Sequence, residues 1–203
     1  MKLRGLYAIT PDIADRRRLR DLVGQALEGG IAALQYRCKS LPSSQRLEEA
    51  TAFAALCRTK GTPMIVNDDP GIAIAADADG AHLGKDDGDL ATARATLVGK
   101  LLGASCYDSL DAARAAVTAG ADYVAFGSVF SSPTKPAAVR APLALFARAR
   151  SLGVPLAAIG GITLENAPQL IAAGADALAV ISDLFDAPDV AARARAYGKL
   201  FRS

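Results

Sequence analysis

A short motif recurs along this chain: a helix-like segment ends in small residues, and a short apolar run follows at once. Ala119-Gly120-Ala121-Asp122 precedes the run 123–127, and Ala173-Gly174-Ala175-Asp176 precedes the run 177–182. Looser copies at 29–32 and 76–80 precede the runs 33–37 and 81–84. Small residues can end a helix in the left-handed conformation, and continuous apolar runs are typical of strands covered on both faces. The repeat therefore predicts helices alternating with buried parallel strands.

Counting the apolar runs gives eight strands, and helical patterns such as 109–119, 164–173 and 190–201 separate most of them. A flavodoxin-like open sheet needs only about five strands, whereas eight strands in strict β-α alternation favour closure. We therefore predict an α/β fold, a single (β/α)8 TIM barrel formed by one domain over residues 1–203. The predicted strands start near Leu6, Leu34, Met64, Ala81, Leu101, Tyr123, Leu156 and Leu178.

Composition excludes several functional classes. The chain has 23 Lys and Arg against 21 Asp and Glu, too balanced a charge for a nucleic-acid partner. No apolar stretch reaches the ~18 residues of a membrane span, and the first residues read as a strand rather than a signal peptide. The three cysteines have no metal-ligand spacing, which indicates a reducing, cytoplasmic setting. One histidine, His82, cannot supply a multi-histidine zinc site, and we read it as structural.

In a barrel of this kind, functional residues lie at the carboxyl ends of the strands. Arg37, Lys39 and Lys135 fall there and could surround a diphosphate, although paired rim residues would look the same. Asp68 and Asp87 suit Mg2+, which takes few carboxylates and fills its shell with water and phosphate oxygens. A lone Asp after a strand can equally be a helix cap. We also expect the surrounding lysines to keep both carboxylates ionised.

Three further strand ends offer polar or glycine-rich segments for phosphate: Phe130-Ser131-Ser132-Pro133-Thr134-Lys135-Pro136, Gly160-Gly161 and Ile181-Ser182. The latter two precede helical patterns, so free backbone amides are expected there. Ser105 and Ser132 lack a neighbouring base, so hydrogen bonding to substrate is favoured over nucleophilic attack. The sequence thus predicts an enzyme acting on phosphorylated small molecules.

At these residues the chain resembles the thiamine phosphate synthase family, and the resemblance runs essentially end to end. No single motif is decisive, since Gly-Gly-Ile also occurs in other phosphate-binding barrels, but their order and spacing are specific. The matching segments are Gly5-Leu6-Tyr7-Ala8-Ile9-Thr10, Leu34-Gln35-Tyr36-Arg37-Cys38-Lys39, Ile65-Val66-Asn67-Asp68, His82-Leu83-Gly84, Gly103-Ala104-Ser105, Thr134-Lys135-Pro136 and Ile159-Gly160-Gly161-Ile162-Thr163 with Glu165-Asn166.

The resemblance implies that 4-amino-2-methyl-5-hydroxymethylpyrimidine diphosphate is joined to 4-methyl-5-hydroxyethylthiazole phosphate, or its carboxythiazole form, giving thiamine phosphate and diphosphate. It implies a dissociative, Mg2+-assisted transferase reaction in which Arg37 and Lys135 are catalytic and Asp68 and Asp87 hold the metal. Small-molecule substrates are the only partners it implies, and a homo-oligomer is left open. The implied substrate-binding residues are Gln35, Tyr36, Arg37, Cys38, Lys39, Asn67, Ser105, Ser132, Pro133, Thr134, Lys135, Gly161, Ile181 and Ser182.

Two positions depart from the family pattern. Cys38 stands where an acidic residue is usual, which predicts the loss of an orienting partner for Arg37 or Lys39. Lys85 stands where Gln is common.

Three alternative functions stay open. They are an aromatising tautomerase of thiazole phosphate, a phosphosugar isomerase or epimerase with Asp68 and Asp87 as acid and base, and a non-catalytic sensor of thiamine precursors. A tautomerase would not need the two carboxylates beside a diphosphate site.

Overall fold

The computed structural model describes residues 3–131 and 140–202. Its eight strands form one closed barrel in which every strand is parallel to both neighbours and the order around the barrel follows the chain. The predicted (β/α)8 TIM barrel is confirmed, and each strand begins within one residue of its predicted start. The strands are β1 (Gly5–Ile9), β2 (Ala33–Tyr36), β3 (Met64–Asn67), β4 (Gly80–Leu83), β5 (Leu101–Tyr107), β6 (Tyr123–Gly127), β7 (Leu156–Ile159) and β8 (Ala177–Val180).

Helices follow most strands and cover the outside of the barrel. Several begin at a side chain that accepts a hydrogen bond from the amide three residues on, as Asp15, Asp69 and Ser109 do. The α-helices of the described residues are α1 (Arg16–Glu28), α2 (Ser43–Thr59), α3 (Pro70–Ala75), α4 (Leu90–Thr96), α5 (Leu110–Thr118), α6 (Ala144–Ala149), α7 (Ala167–Ala173), α8 (Ser182–Phe185) and α9 (Val190–Lys199). A 3-10 turn, Arg150–Leu152, follows α6.

The aspartate of the recurring motif joins each repeat to the strand before it. The Oδ2 atoms of Asp79, Asp122 and Asp176 accept hydrogen bonds from the amides of Met64, Leu102 and Leu156, near the starts of β3, β5 and β7, at 2.8, 2.8 and 3.0 Å. The backbone amide of each aspartate donates in return to the carbonyl of the same strand residue, at 2.7–2.8 Å. The motif thus fixes the register at the amino-terminal end of alternate strands, because it satisfies backbone groups that a strand start would leave unpaired.

Two apolar layers hold the barrel together. The larger lies between the strands and the helices and includes the fully buried Cys57. The smaller fills the barrel interior with mostly small side chains, among them Ala125, Ala157 and Ala179, together with Tyr7 and Tyr123. Small residues on one side leave room for two tyrosines to cross the interior, with ring centroids 5.9 Å apart. Among the described residues, no helix is long and apolar enough to cross a membrane.

Candidate functional site

A cavity of about 690 Å³ opens at the carboxyl ends of the strands. Side chains or backbone from every strand of the barrel, or from the loop that follows it, line this cavity. Another hollow, of about 720 Å³, lies outside the barrel between α1 and α2 and gathers none of the predicted site residues. The predicted residues that line the strand-end cavity are Gln35, Arg37, Lys39, Asn67, Asp68, Asp87, Ser105, Gly161, Ile181 and Ser182.

The loop after β2 brings two cations to the cavity wall. Thr10, at the end of β1, accepts a hydrogen bond from the Arg37 amide at 2.8 Å and donates to the Arg37 carbonyl at 3.0 Å. Asp12 accepts from the Lys39 amide at 2.8 Å, which holds the next turn of the loop. The Arg37 guanidinium has no hydrogen-bond or ion-pair partner among the described residues. A half-buried cation without a partner is a site for an anion.

Asp68 and Asp87 interact at the rim of the cavity beside Lys39. Lys39 Nζ lies 3.3 Å from Asp68 Oδ2, and Asp87 Oδ2 accepts from the Gly84 amide at 2.8 Å. Burial raises the pKa of Asp68, and the adjacent Asp87 carboxyl raises it further against the opposing effect of Lys39. Lys39 thus opposes burial and Asp87 at this carboxyl, and the expectation that the surrounding lysines keep Asp68 and Asp87 ionised stays a prediction. Two carboxylates held together suit a divalent cation.

The backbone at Asp68 supports a functional reading over a helix cap. Asp68 has φ of 67°, a left-handed conformation that non-glycine residues rarely adopt. The cap of α3 is instead its neighbour Asp69, which accepts from the Ile72 amide at 2.9 Å. Tyr107, at the end of β5, has a φ of 54° and also lines the cavity. Asp68 and Tyr107, two residues with left-handed backbone conformations, thus both lie at strand ends that line the cavity.

A chain of buried hydroxyl, amide and imidazole groups forms the floor of the cavity. Gln35 Nε2 donates to Tyr7 Oη at 2.8 Å, and Tyr7 Oη is hydrogen-bonded to Tyr123 Oη at 2.7 Å. Tyr123 Oη lies 3.0 Å from His82 Nδ1, and His82 Nε2 lies 2.9 Å from Ser105 Oγ. Burial lowers the pKa of His82 to about 4, so the imidazole is neutral near pH 7. His82 is a satisfied buried histidine, and it also touches the cavity.

The turn after β7 forms the opposite wall and has no space for side chains. A Cβ on Gly160 would lie 2.1 Å from Ser128 Oγ, and one on Gly161, where φ is 62°, would lie 2.2 Å from the Ser131 carbonyl oxygen. Asn166 holds the turn by accepting from the Thr163 amide and donating to the Gly161 carbonyl. The amides of Gly161 and Ile162 donate to no acceptor within 3–131 or 140–202. Free amides on a glycine turn are suited to a phosphate.

The end of β8 completes this wall. Ile181 and Ser182 line the cavity, and Asp183 beside them is anchored from α9. Arg193 Nη1 donates to both Asp183 carboxylate oxygens at 2.9 Å, and Tyr197 Oη donates to Oδ2 at 2.7 Å. The ion pair is mostly buried, which fixes the backbone of this loop from behind.

Two predicted contact residues direct their side chains away from the cavity. The Tyr36 hydroxyl donates to Glu49 of α2 at 2.8 Å, and its ring packs against Phe53. Cys38 Sγ lies 3.1 Å from Arg16 Nη2 and 3.5 Å from Asp12 Oδ1. The Cys38 side chain therefore packs outside the barrel wall, and its hydrogen-bond contacts among the described residues include Arg16, Asp12 and Ser40. The predicted loss of an orienting partner for Arg37 or Lys39 stays a prediction. The predicted residues Ser132, Pro133, Thr134 and Lys135 lie outside the described residues.

Sequence reasoning missed Tyr7, Tyr107 and Asp183 as cavity residues and assigned no site role to His82 or Lys85, which also line it. Tyr7 lies in an apolar run and carries no local signal of its own. For the two wrongly oriented contacts, Tyr36 and Cys38, the available signal was alternation along β2 and the residues after it: Gln35 and Arg37 face inward, so Tyr36 and Cys38 face outward.

Comparison with known proteins agrees with this geometry. Residues 6–184 match the family model described as thiamine monophosphate synthase. The chain is 60% identical over 202 residues to the thiamine-phosphate synthase of Aromatoleum aromaticum, covering 98% of this chain and 97% of the relative. It is 56% identical to that of Methylobacillus flagellatus, with 98% and 96% covered. The structure of a thiamine phosphate pyrophosphorylase from Pyrococcus furiosus superposes with a TM-score of 0.87 at 34% identity, covering 99% and 96% of the two chains.

Proposed function

Because the chain belongs to the thiamine monophosphate synthase family, we propose that it is a transferase that condenses 4-amino-2-methyl-5-hydroxymethylpyrimidine diphosphate with a thiazole phosphate. The products are thiamine phosphate and diphosphate. One observation carries the proposal: a single cavity has anion-binding features on two opposite walls. The Arg37 guanidinium, which has no partner among the described residues, lies on one wall. The Gly160-Gly161 turn, whose Gly161 and Ile162 amides donate to no described acceptor, lies on the other. Two phosphorylated substrates would meet between them.

The pyrimidine diphosphate fits the wall formed by the loops after β2, β3 and β4. Arg37 offers a planar fork of donors for phosphate oxygens, and Lys39 offers a point charge that is half exposed beside Asp68. Gln35 and Ser105 lie deeper, on the floor, where they can hydrogen-bond a heterocycle. This arrangement places the charged end of the substrate at the rim and its ring inside the barrel. Lys135 is assigned to the same diphosphate from its place in the sequence alone.

Asp68 and Asp87 fit a magnesium ion. They are two interacting carboxylates beside a diphosphate site, and Mg2+ commonly takes one or two carboxylates and completes its shell with water and phosphate. No cluster of three or more carboxylate, histidine or cysteine ligands occurs within 3–131 and 140–202, so the set is too small for a dedicated protein cage. When bound, such an ion supplies positive charge to a departing diphosphate.

The chemistry we propose is dissociative. The carbon–oxygen bond to diphosphate breaks first, and the thiazole nitrogen then captures the pyrimidine-methyl cation. Arg37 and Lys39 stabilise the charge that develops on the leaving group, and the floor holds the ring in line with the second substrate. No protein nucleophile is needed. Consistent with that, burial raises the pKa of the Cys106 thiol beside the site to about 12, which leaves it unreactive.

The thiazole phosphate fits the opposite wall, between the turn after β7 and the start of α8. Gly161 approaches the loop after β6 so closely that backbone, and no side chain, faces the ligand there. Ser182 adds a hydroxyl at the same edge. Ser132, Pro133 and Thr134 are assigned to this phosphate from the sequence. Ile181 lines this part of the cavity beside Ser182.

The test is to supply both heterocyclic substrates to the purified chain and to measure diphosphate and thiamine phosphate in the same reaction. We expect equal amounts of both products with Mg2+ and neither with EDTA or with one substrate omitted. Asp68→Asn should raise the Mg2+ concentration needed for half-maximal rate, whereas Asp111→Asn, on an exposed helix, should leave it unchanged. Isomerised thiazole phosphate without diphosphate release would point to a tautomerase. Binding of both substrates with no turnover would point to a sensor.

A further inference from the structure

Five side chains from five different strands form one continuous hydrogen-bonded relay across the barrel interior. The relay runs from Gln35 through Tyr7, Tyr123 and His82 to Ser105, with every link between 2.7 and 3.0 Å. Its two ends, Gln35 and Ser105, both line the cavity, and Tyr123 in the middle is 2% exposed. Sequence separation between Tyr7 and Tyr123 is 116 residues. The relay therefore connects two substrate-facing groups through the protein interior.

The direction of the relay follows from counting protons. Gln35 donates its Nε2 hydrogen to Tyr7, so the single hydroxyl hydrogen of Tyr7 is free to be donated to Tyr123. Tyr123 then donates its own hydrogen to His82 Nδ1, which must carry a lone pair. A neutral imidazole protonated only at Nε2 donates to Ser105 Oγ. With Gln35 Nε2 facing Tyr7, the reverse assignment gives Tyr7 Oη two donors and leaves the Tyr7 hydrogen without an acceptor in the relay, which is costly. Reversal of the whole relay requires the Gln35 amide to be turned so that Oε1 faces Tyr7.

Glycine at one position makes this contact geometry attainable. A Cβ on Gly103, in β5, would lie 2.3 Å from Tyr123 Oη and 2.5 Å from His82 Nδ1. The backbone of β5 thus leaves the space in which these two groups meet. The imidazole also stacks near the Tyr123 ring, with centroids 5.5 Å apart. The central link is consequently held by packing as well as by hydrogen bonding.

We propose that this relay fixes the hydrogen-bond polarity of the cavity floor, so that Ser105 presents a donor and Gln35 presents a carbonyl acceptor. Because Ser105 Oγ already accepts from His82, its own hydrogen points to an acceptor in the cavity. Gln35 Oε1 remains available for a donor. This pair complements an aminopyrimidine, whose ring nitrogens accept and whose exocyclic amine donates. Tyr7, Tyr123 and His82 are then positioning residues that select an aminopyrimidine over an oxopyrimidine, an inference that rests on the proposed function.

The tautomer can be read directly because His82 is the only histidine of the chain. Nitrogen NMR of the 15N-histidine-labelled protein at pH 7, without substrate, should show one imidazole with a protonated Nε2 and an unprotonated Nδ1. In Tyr123→Phe the Nδ1 acceptor loses its donor, and a second population with the proton on Nδ1 should appear. A wild-type imidazole protonated at Nδ1, or at both nitrogens, would overturn the proposed polarity. This readout needs no catalytic activity, so it is independent of the proposed function.

Substrate discrimination supplies the second readout. The ratio of kcat/KM for the aminopyrimidine diphosphate to that for its 4-oxo analogue should fall roughly tenfold or more in Tyr123→Phe and Tyr7→Phe, since a mismatched buried donor or acceptor changes affinity by about that much. Tyr36→Phe removes a hydroxyl that points away from the cavity toward Glu49, outside the relay, and should leave the ratio unchanged. An unaltered ratio in both relay variants would refute the selection role. Absence of condensation by the wild type, with the expected tautomer present, would instead refute the proposed function.

Discussion

Acid should destabilise this fold through one buried residue, His82. The folded protein holds the pKa of His82 at about 4, against the ordinary value of 6.5, because burial disfavours the imidazolium and the opposing effect of Asp87 is smaller. The unfolded chain therefore binds a proton between pH 6.5 and about 4 that the folded chain does not. The stabilising effect of a neutral His82 is complete above pH 6.5 and is lost as the pH falls toward 4.

The size of this effect follows from the two pKa values. At about 1.4 kcal/mol for each tenfold change in proton affinity, the interval between 6.5 and about 4 corresponds to about 3 kcal/mol of unfolding free energy. That is a large share of the roughly 5–15 kcal/mol expected for a domain. In His82→Gln the titrating group is absent while an amide can still hydrogen-bond. We therefore expect the variant to be less stable than wild type at pH 7 but to lose about 3 kcal/mol less on acidification.

The assay is urea unfolding of both proteins at intervals from pH 7.5 to pH 4, followed by far-ultraviolet circular dichroism. Carboxylates titrate in both proteins, so the difference between the two pH profiles isolates His82. Parallel profiles, with the same loss of unfolding free energy in wild type and variant, would show that His82 is not held neutral by burial.

Three further predictions concern local packing and the site. Gly29→Ala should destabilise the fold by roughly 1–3 kcal/mol because the new Cβ would lie 2.4 Å from Ala194 Cβ. Gly24→Ala, whose Cβ would have no atom within 4 Å, should stabilise α1 by about 0.5–1 kcal/mol, and thermal unfolding compares the two variants. Asp79→Ala should lower the free energy of unfolding, measured in urea, by about 1–3 kcal/mol because the first amide of β3 loses its acceptor. Asp111→Ala, at an exposed ion pair, should change it by less than about 0.5 kcal/mol. Gly161→Ala should raise KM for the thiazole phosphate more than for the pyrimidine diphosphate in steady-state kinetics, and equal effects on both would argue against a phosphate site at this turn.

The barrel could be predicted because its strands are buried on both faces and bounded by glycine and aspartate. The apolar runs starting at Met64, Leu101 and Tyr123 coincide with observed strand starts. Such short, continuously apolar runs are typical of parallel strands that are covered on both faces. The aspartate of the repeat was seen as part of a pattern, but its role required the structure. Only in the folded barrel does Asp176 meet the first amide of β7, 20 residues earlier.

Site residues at strand ends could be predicted from the sequence, whereas residues that meet only when the barrel closes could not. Arg37, Lys39 and Asp68 follow apolar runs, so parallel topology alone brings them to one rim. Tyr7 and Tyr123 sit inside apolar runs, and only closure of eight strands brings their hydroxyls within 2.7 Å. Burial raises the pKa of Asp68, and the neighbouring Asp87 raises it further, a proximity that sequence spacing does not disclose.

The central claim, that condensation occurs in the strand-end cavity and depends on its cations, is tested most directly at Arg37. The measurement is kcat/KM for thiamine phosphate formation by Arg37→Met, compared with Arg17→Met, which alters an exposed residue of α1 that does not line the cavity. Loss of a charge-assisted hydrogen bond to the diphosphate predicts a decrease of at least about tenfold for Arg37→Met and no change for Arg17→Met. Equal kcat/KM values for the two variants would contradict the assignment of the reaction to this cavity.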